Sequence, residues 1–573
     1  MARTAKTNPG FELESRVVGA LPLVNHVLER LRFEHIFERH LPAPDPRATL
    51  PPLQALGVLV RNLVLARVPL YAMEEWARER VPSLLGLAPE QVDLLNDDRV
   101  GRALDRLFDT DRQALLTAIL VHMVKEFKIS LEELHNDSTT ITLHGQYKGA
   151  NGKRVRGKPT LVVTLGHNKD HRPDLKQLVW ILTVSADGAV PVYFKVVDGN
   201  TEDSTTHIET WERLRLLVGS TRFLYVADSK LCTRENMKHI NSNGGKFITV
   251  MPRSRKEDKL FKDWLQANAP AWQEVARKPH PRLKHGLPDV FRALSSPIPD
   301  PDGFRVIWYQ SSHKIERDAA ARSTALQSAW KALVQLKARV EGPRPRFRSC
   351  ASVAAAADDI LKETRTERWI QCEASSAEGA VFRKETRGRP GTNSRWRRQL
   401  KMSFRLDWAL RKEEIDYDAR TDGVFPLITD YSEAELSDAR VLEAYKSNQP
   451  LVEKRHDLLK NVEAATPMYL KSVSRIEALL FMHFVALLAH ALIEREVRRA
   501  MRSRRLRELP LYPEDRPCKA PSTRRVLEVF ENLQRHVLYR NGREIQRFEP
   551  EVSGRQVELL QLFGMTSDAF LTP

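Results

Sequence analysis

Cysteine is almost missing from this sequence. The four present, Cys232, Cys350, Cys372 and Cys518, lie far apart with no CxxC spacing. That excludes a zinc knuckle or a disulfide framework and makes reduced thiols the expectation. The N-terminal stretch "MARTAKTNPGFELESR" lacks the apolar segment of a secretory signal. The most apolar run, Ala478 to Ile493, contains His483 and His490 and is short of the about 20 residues that a bilayer span needs. It reads as a buried helix, no membrane partner is expected, and the expected location is the cytoplasm, on the nucleoid. No internal repeat is evident, and no Ser/His/Asp or Cys/His set points to a side-chain nucleophile.

What the sequence does have is positive charge. Lys and Arg number 91 against 74 Asp and Glu, a net charge of +17, and nucleic acid is the commonest polyanionic partner of such a chain. Its 573 residues exceed what one core organises, so two to four domains are expected. The apolar fraction of 42% is that of a globular protein.

Four regions follow from texture. Residues 1–128 are helical: "TLPPLQALGVLVRNLVLA" offers Thr49 as an N-cap and repeats Leu56, Leu59, Val60 and Leu63 at helical spacing. Residues 129–260 carry strand-like segments in the order "DSTTITLHG", "QLVWILTVS", "PVYFKVVDG", a helix, "RFLYVADS", a helix and "KFITVMP". The first three are closely spaced and predict antiparallel strands, and the later alternation predicts parallel crossovers, giving a mixed α/β sheet. Residues 261–420 are irregular, with a long charged helix and the Gly-, Pro- and Arg-rich "RKETRGRPGTNSRWRRQLK", and read as an inserted subdomain with a mobile basic loop. Residues 421–573 return to sheet at "DGVFPLITD" and then to helices almost to the C-terminus.

Three acids stand out. Asp137 precedes a β-branched run that favours a strand, where a core strand gains little from a charge. Asp228 ends the apolar "FLYVADS", where α/β sheets place ligands, although capping of the next helix explains it equally well. Glu453 lies in the first turns of a helix that Pro450 can open, with Lys460 two turns later on nearly the same face. Alone, Glu453 reads as a solvated helix residue. Together the set suits two hard divalent cations about 4 Å apart, as in phosphoryl transfer.

The strand order and these acids resemble a ribonuclease-H-like DDE transposase. The likeness is to the insertion-sequence-four supergroup, in its sixteen-thirty-four branch. It rests on "HNDSTT", "GHNKDHRPDLKQLVW", "VVDGNTEDSTTH", "FLYVADSKL" and "DGVFPLITD…YKSNQPLVEKRHDLLK". The resemblance implies Asp137, Asp228 and Glu453 as catalytic acids holding two Mg²⁺, with Mn²⁺ as substitute. It also implies double-stranded DNA, as element ends and target, for the substrate and a homodimer for the DNA complex. The separations are uneven, 228 − 137 = 91 and 453 − 228 = 225, because the group inserts a subdomain before the last acid.

The group's Tyr-Arg-Glu-Lys signature is met by Glu453 and by Lys460, the latter an implied phosphate contact. Its Arg position holds Gln449 and its Tyr position Lys446, with Tyr445 one residue early and Pro450 interrupting the helix. The implied function is cleavage at terminal inverted repeats and strand transfer. A metal-dependent nuclease of the same fold and an inactive DNA-binding repressor remain the alternatives.

Other residues have bland readings close by. His167 and His171 with Asp174 could mimic metal ligands but lie in a loop-like block, and Asp198, Glu202 and Asp203 sit where helix capping explains them. Eight basic residues face one acid between Arg383 and Lys401, and Arg395, Trp396, Arg397 and Arg398 are candidate DNA contacts there. Arg495, Arg498, Arg499, Arg502 and Arg505 are spaced as one helical stripe, a candidate phosphate track. The resemblance adds an aromatic that holds a flipped base, for which Trp308 and Trp396 are candidates.

Overall fold

In the computed structural model, which describes residues 10–43, 48–279, 286–342, 347–462 and 470–571, the first element is a strand. β1 (Phe11–Val17) precedes six helices, so the N-terminal region is not purely helical. These are α1 (Leu21–Arg30), α2 (Phe33–His40), α3 (Pro52–Leu65), α4 (Met73–Arg78), α5 (Asp97–Asp109) and α6 (Arg112–Phe127). Pro51, not Thr49, precedes α3. Asn96 caps α5 by accepting the Arg99 N–H, and Asp111 caps α6 by accepting from Gln113 and Ala114, which satisfies amides that a helix start leaves open.

A sheet follows. Its strands are β2 (Glu133–Leu143), β5 (Lys176–Ser185), β6 (Pro191–Val197), β7 (Leu224–Ala227) and β8 (Lys246–Val250). A two-residue pair, β3 (Arg154–Val155) with β4 (Lys158–Pro159), lies between β2 and β5. The spatial order is β6-β5-β2-β7-β8, with β2, β5 and β6 antiparallel and the β2–β7 and β7–β8 pairs parallel. Helices α7 (His207–Val218) and α8 (Arg234–Ser242) make the crossovers that parallel strands require. A mixed α/β architecture was expected from the spacing of the segments, and this is one.

Two compact units result, Met1–Thr249 with Arg440–Pro573, and Val250–Ala439. The second starts 11 residues earlier and ends 19 residues later than the expected insertion at 261–420. It contains α9 (Lys256–Ala267), an antiparallel sheet of β9 (Gln273–Lys278), β10 (Asp289–Ser295), β11 (Arg305–Ser311) and later β14, the helices α10 (Ser312–Glu341) and α11 (Cys350–Thr364), and a long hairpin of β12 (Ile370–Lys384) and β13 (Trp396–Leu410). α12 (Lys412–Arg420) and β14 (Val424–Thr429) complete it. The ends of the basic segment expected to be a loop, Arg383–Lys384 and Trp396–Lys401, lie on the strands of this hairpin, and 385–395 form the turn that joins them. Trp308 is not available to a base: it is 1% exposed and stacked on Phe261 at 3.8 Å.

Back in the first unit run α13 (Asp438–Glu443), a π-helical turn at Ala444–Asn448, α14 (Gln449–Asp457) and a second π turn at Leu458–Val462. α15 (Val473–Ser503), α16 (Thr523–Glu528), the hairpin of β15 (Gln534–Arg540) and β16 (Arg543–Phe548), and α17 (Gly554–Leu562) follow. The C-terminal region is therefore not all helical: β15 pairs antiparallel with β1 and closes a three-stranded sheet on the N-terminus.

The apolar run Ala478–Ile493 lies on α15 and is buried along its whole length. Phe194 of β6 stacks on Trp180 at 4.9 Å and on Phe484 of α15 at 4.3 Å, and full burial of each such side chain contributes roughly 2–3 kcal/mol.

Burial on every side also changes the arginine stripe. Arg495 is 5% exposed, donates to the Phe127 and Lys128 carbonyls and pairs with Asp187 at 2.6 Å. It ties α6 and the β5–β6 turn to α15 and is not a surface phosphate contact. Arg498 donates to the Pro521 carbonyl, Arg499 pairs with Glu496, Arg502 is exposed, and Arg505 lies beyond the helix with φ 57°.

One buried carboxylate joins three helices. Glu494 of α15 pairs with Lys454 at 3.1 Å and Arg455 at 3.0 Å of α14, and accepts the Thr523 N–H of α16. Burial pushes its carboxyl up, and Arg455, Lys454 and Arg498 more than reverse this, drawing it down to about 2 from 4.5. The ionised form thus stabilises the fold fully above pH 4.5, and the contribution is lost as pH falls from there toward 2. Glu494→Gln is expected to cost roughly 3 kcal/mol at neutral pH and to flatten the loss of stability across that acid interval, measured by chemical denaturation at a series of pH values.

Candidate active site

Asp137 and Asp228 are brought together by strand register. In the parallel β2–β7 ladder Asn136 stands opposite Ala227, so each aspartate is the next residue on neighbouring strands about 5 Å apart. Side chains alternate along β2. Asn136 points one way and accepts from Thr183 at 2.9 Å. Glu133 and Asp137 point the other way, toward the α13–α14 segment. There Glu133 pairs with Arg440 at 2.6 Å, and Asp137 Oδ2 lies 3.6 Å from His456 Nδ1.

α14 buries Val452, Arg455 and His456, and the π turn after it buries Leu459, the spacing of one helical face. Arg455, 1% exposed, donates to the Ala189 and Gly188 carbonyls at 3.0 and 3.2 Å. This pins α14 to the β5–β6 turn. Glu453 flanks that face and is exposed.

Lysine 169 supplies the cation of the cluster. Its Nζ donates to Ser138 O at 2.6 Å and Ser138 Oγ at 2.7 Å, and lies 3.1 Å from Asp203 and 3.8 Å from Asp137. The loop that delivers it is held by its neighbours. Asn168 Nδ2 donates to Thr142 Oγ1, which donates to Asp170, and Asp170 also takes the Lys460 ammonium at 2.6 Å. Lys460 is therefore engaged on a carboxylate beside the cluster.

Electrostatics separates the two aspartates. Burial pushes the Asp137 carboxyl up, and His456, Lys169 and the Ser138 N–H more than reverse it, leaving it below the ordinary carboxylate value. Asp228 is raised by burial and by the nearby Asp137 and Asp203, which the Lys230 N–H and Lys169 only partly offset. Burial also lowers His207 to about 4, against the pull of Asp203 and Asp137, and its Nδ1 lies 3.0 Å from the Tyr225 hydroxyl. It stays neutral at physiological pH.

Tyr445 belongs to this cluster as well. Its hydroxyl is raised by burial and then by Asp228, Asp137 and Glu453, so all three acids lie within electrostatic reach of it. The sequence places it one residue too early for an α-helix, and the π turn at Ala444–Asn448 takes up one extra residue, as π bulges do at functional sites. Pro450 does not interrupt the helix. It follows directly on that widened turn, where the regular bonding ladder is already displaced. The side chain of Gln449 lies outside the described residues.

Among the described residues, no three His, Cys, Asp or Glu side chains converge closely enough to hold a metal ion. His167, His171 and Asp174 are exposed, and Asp174 pairs with Arg172 at 2.7 Å. Sequence reading missed Lys169 and His456, although each lies inside a quoted block or three residues from Glu453. Asp203, explained there by capping, instead pairs with Lys169, while Asp198 accepts the Val162 N–H.

A family described as a domain of unknown function, DUF4277, matches residues 13–121, under a fifth of the chain. No curated protein matches. Among solved structures, a piggyBac transposase in a synaptic complex with hairpin DNA is similar at 9% identity over 82% of this chain and 73% of that one, with a TM-score of 0.34. At that score the two folds are not shown to be the same.

The raised Asp228 carboxyl destabilises the fold when ionised, since the unfolded chain releases that proton at a lower pH and stability falls as pH rises through the folded value. In metal-free buffer Asp228→Asn is expected to raise the thermal midpoint by roughly 1–3 °C near neutral pH. The gain should shrink on acidification, and a lower midpoint than wild type would contradict the repulsion read here.

Proposed function

We propose that this chain is a DNA transposase of the ribonuclease-H-like DDE type, acting on the inverted ends of its own insertion sequence. The observation that carries the reading is the pairing of Asp137 and Asp228 on adjacent parallel strands of the β6-β5-β2-β7-β8 sheet, with the Tyr445 hydroxyl within electrostatic reach of both. Three antiparallel strands followed by two parallel ones is the order that the sequence resemblance implies. The net charge of +17 suits a polyanionic substrate.

The donors fit divalent cations in kind. Asp137 and Asp228 repel one another, and a lysine ammonium is lodged beside them, which is a place for positive charge built from hard oxygen donors. Asp137 and Asp228 would hold Mg²⁺, or Mn²⁺ in its place, with Glu453 as the third donor of a two-ion site. The metal would supply charge neutralisation at the oxygens of an in-line phosphoryl transfer. Glu453, exposed on α14, is the donor whose approach the site still requires.

The protein's own groups have separable parts. Asp137 is kept ionised by His456 and Lys169. Asp228, raised by its neighbours, ionises more readily once positive charge arrives. The nucleophiles are water in the first step and the freed DNA 3′-hydroxyl in the second. Two protomers bridge two element ends.

The test uses the full chain, Mg²⁺ and labelled duplexes carrying the element's ends. Asp137→Asn, Asp228→Asn and Glu453→Gln should each reduce strand joining by roughly a hundredfold or more. Joining that persists in any of the three refutes the site. Cleavage with no joining by wild type would favour a nuclease, and binding with neither would favour a repressor.

A further inference from the structure

We infer that the β12–β13 hairpin is a DNA-binding ribbon whose tip, Arg387-Gly388-Arg389-Pro390, enters the minor groove of A·T-rich duplex. This rests on DNA as the partner in the reading above, but not on the acids being catalytic.

The ribbon is built to stand away from its base. Near its root Ile370 and Leu406 join Leu333 and Leu336 of α10 and Leu361 of α11 in one buried core. Beyond Phe404, eight more residues of β13 run out to Trp396, paired without a register shift to β12. At about 3.4 Å per residue that is roughly 27 Å of two-stranded ribbon. Ser375 through Arg383 are exposed throughout.

Charge decides what covers it. The distal ribbon and its turn hold eight cations between Arg383 and Lys401, and its only acids from Ala377 to Ser403 are Glu378 and Glu385. Among the described residues Arg383, Arg387, Arg389, Arg395, Arg397 and Arg398 are exposed and take part in no ion pair, whereas most arginines of the first unit's interior are paired. Arg383 stands directly opposite Arg397, a like-charge arrangement that costs stability until an anion lies across it. A second copy of this basic ribbon would worsen the repulsion. A polyanion relieves it.

Cations on both faces indicate a groove. Arg383 and Arg397 lie on one face, while Lys384 and Arg398 lie on the other with Phe382 and Trp396. A ribbon lying along one strand needs cations on a single face, but a ribbon between two phosphate walls meets them on both.

The tip is narrow enough for the smaller groove. Gly388, at φ +117°, takes a backbone conformation that a side chain would strain, and a Cβ there or at Gly391 would meet nothing within 4 Å. Lys384 Nζ gathers the Gly388 and Arg389 carbonyls at 3.1 and 2.8 Å, and Ser394 Oγ accepts the Gly391 N–H at 2.9 Å. Two arginines thus flank a residue without a side chain, as the roughly 6 Å minor groove and its enhanced negative potential over A·T tracts favour. Phe382 and Trp396, 60% and 51% exposed on one face, are diagonal neighbours placed to wedge against base steps at the groove edge.

The test measures binding of the full Asp137→Asn chain without Mg²⁺, so a failed catalytic reading does not reach it. Three duplexes of one length are compared, with A·T, G·C and inosine·C cores. Inosine lacks the guanine amino group in the minor groove and leaves the major-groove edge guanine-like. The expected order is A·T equal to inosine·C and several-fold tighter than G·C. Adding Arg387→Ala with Arg389→Ala should weaken A·T binding by at least about tenfold, lower the salt slope by about 2 and abolish the preference, with the thermal midpoint unchanged. Inosine·C binding like G·C, equally tight binding of an RNA duplex, or an unaffected double variant would each overturn the proposal.

Discussion

The register of a single parallel ladder sets most of what matters in this molecule. Asn136 opposite Ala227 makes the next residue on each strand an aspartate. Because side chains alternate across a sheet, a slip of one residue on either strand would turn its aspartate to the opposite face. Core burial fixes the register. The β2 residues Leu134, Ile141 and Leu143 and the β7 residues Tyr225, Val226 and Ala227 are buried on both faces of the sheet, so a slip would misfit side chains against close-packed layers on either side. The carboxylates are placed by hydrophobic residues that have no chemistry of their own.

Placing two acids side by side has a cost, and the surrounding residues show how it is met. Lys169 comes in on a loop held by Asn168, Thr142 and Asp170, and His456 on a helix whose buried Arg455 is held by two carbonyls and Glu494. These supports hold Asp137 ionised while Asp228 remains strained by its neighbours. Like groups pushed to opposite sides of the ordinary value are found in active sites and in structural ion-pair networks alike. Here the residual repulsion also states the sign of the ligand that would relieve it.

The hairpin of the second unit is governed by the same physics at longer range. Its root is anchored by apolar residues on one face, and the same face continues outward past the point where anything covers it. Strand period explains why this was hard to read from the sequence. Polar residues fill the positions between the apolar ones of β13, and the Gly-, Pro- and Arg-rich turn dominates the local composition. The N-terminal strand β1 was hidden for a different reason: its partner β15 lies over 500 residues away, and seven residues of mixed polarity have no periodicity that demands a sheet.

Much of the β2–β8 region was legible because local chemistry and global fold agree there. β-branched runs, short turns and crossover helices gave the strands and their directions. Asp137 and Asp228 stood out as carboxylates beside apolar or β-branched strand residues, although a cap or a turn explains either one alone. Tertiary structure decided the rest. It put Lys169, Asp203 and His456 around those acids, took Arg495 into the interior, and used a π turn to bring Tyr445 to a position that its residue number denies. Sequence spacing translates into geometry only while the helix or strand stays regular and one face stays in solvent. Burial on all sides and a single widened turn broke those conditions, and only the packed chain could show where.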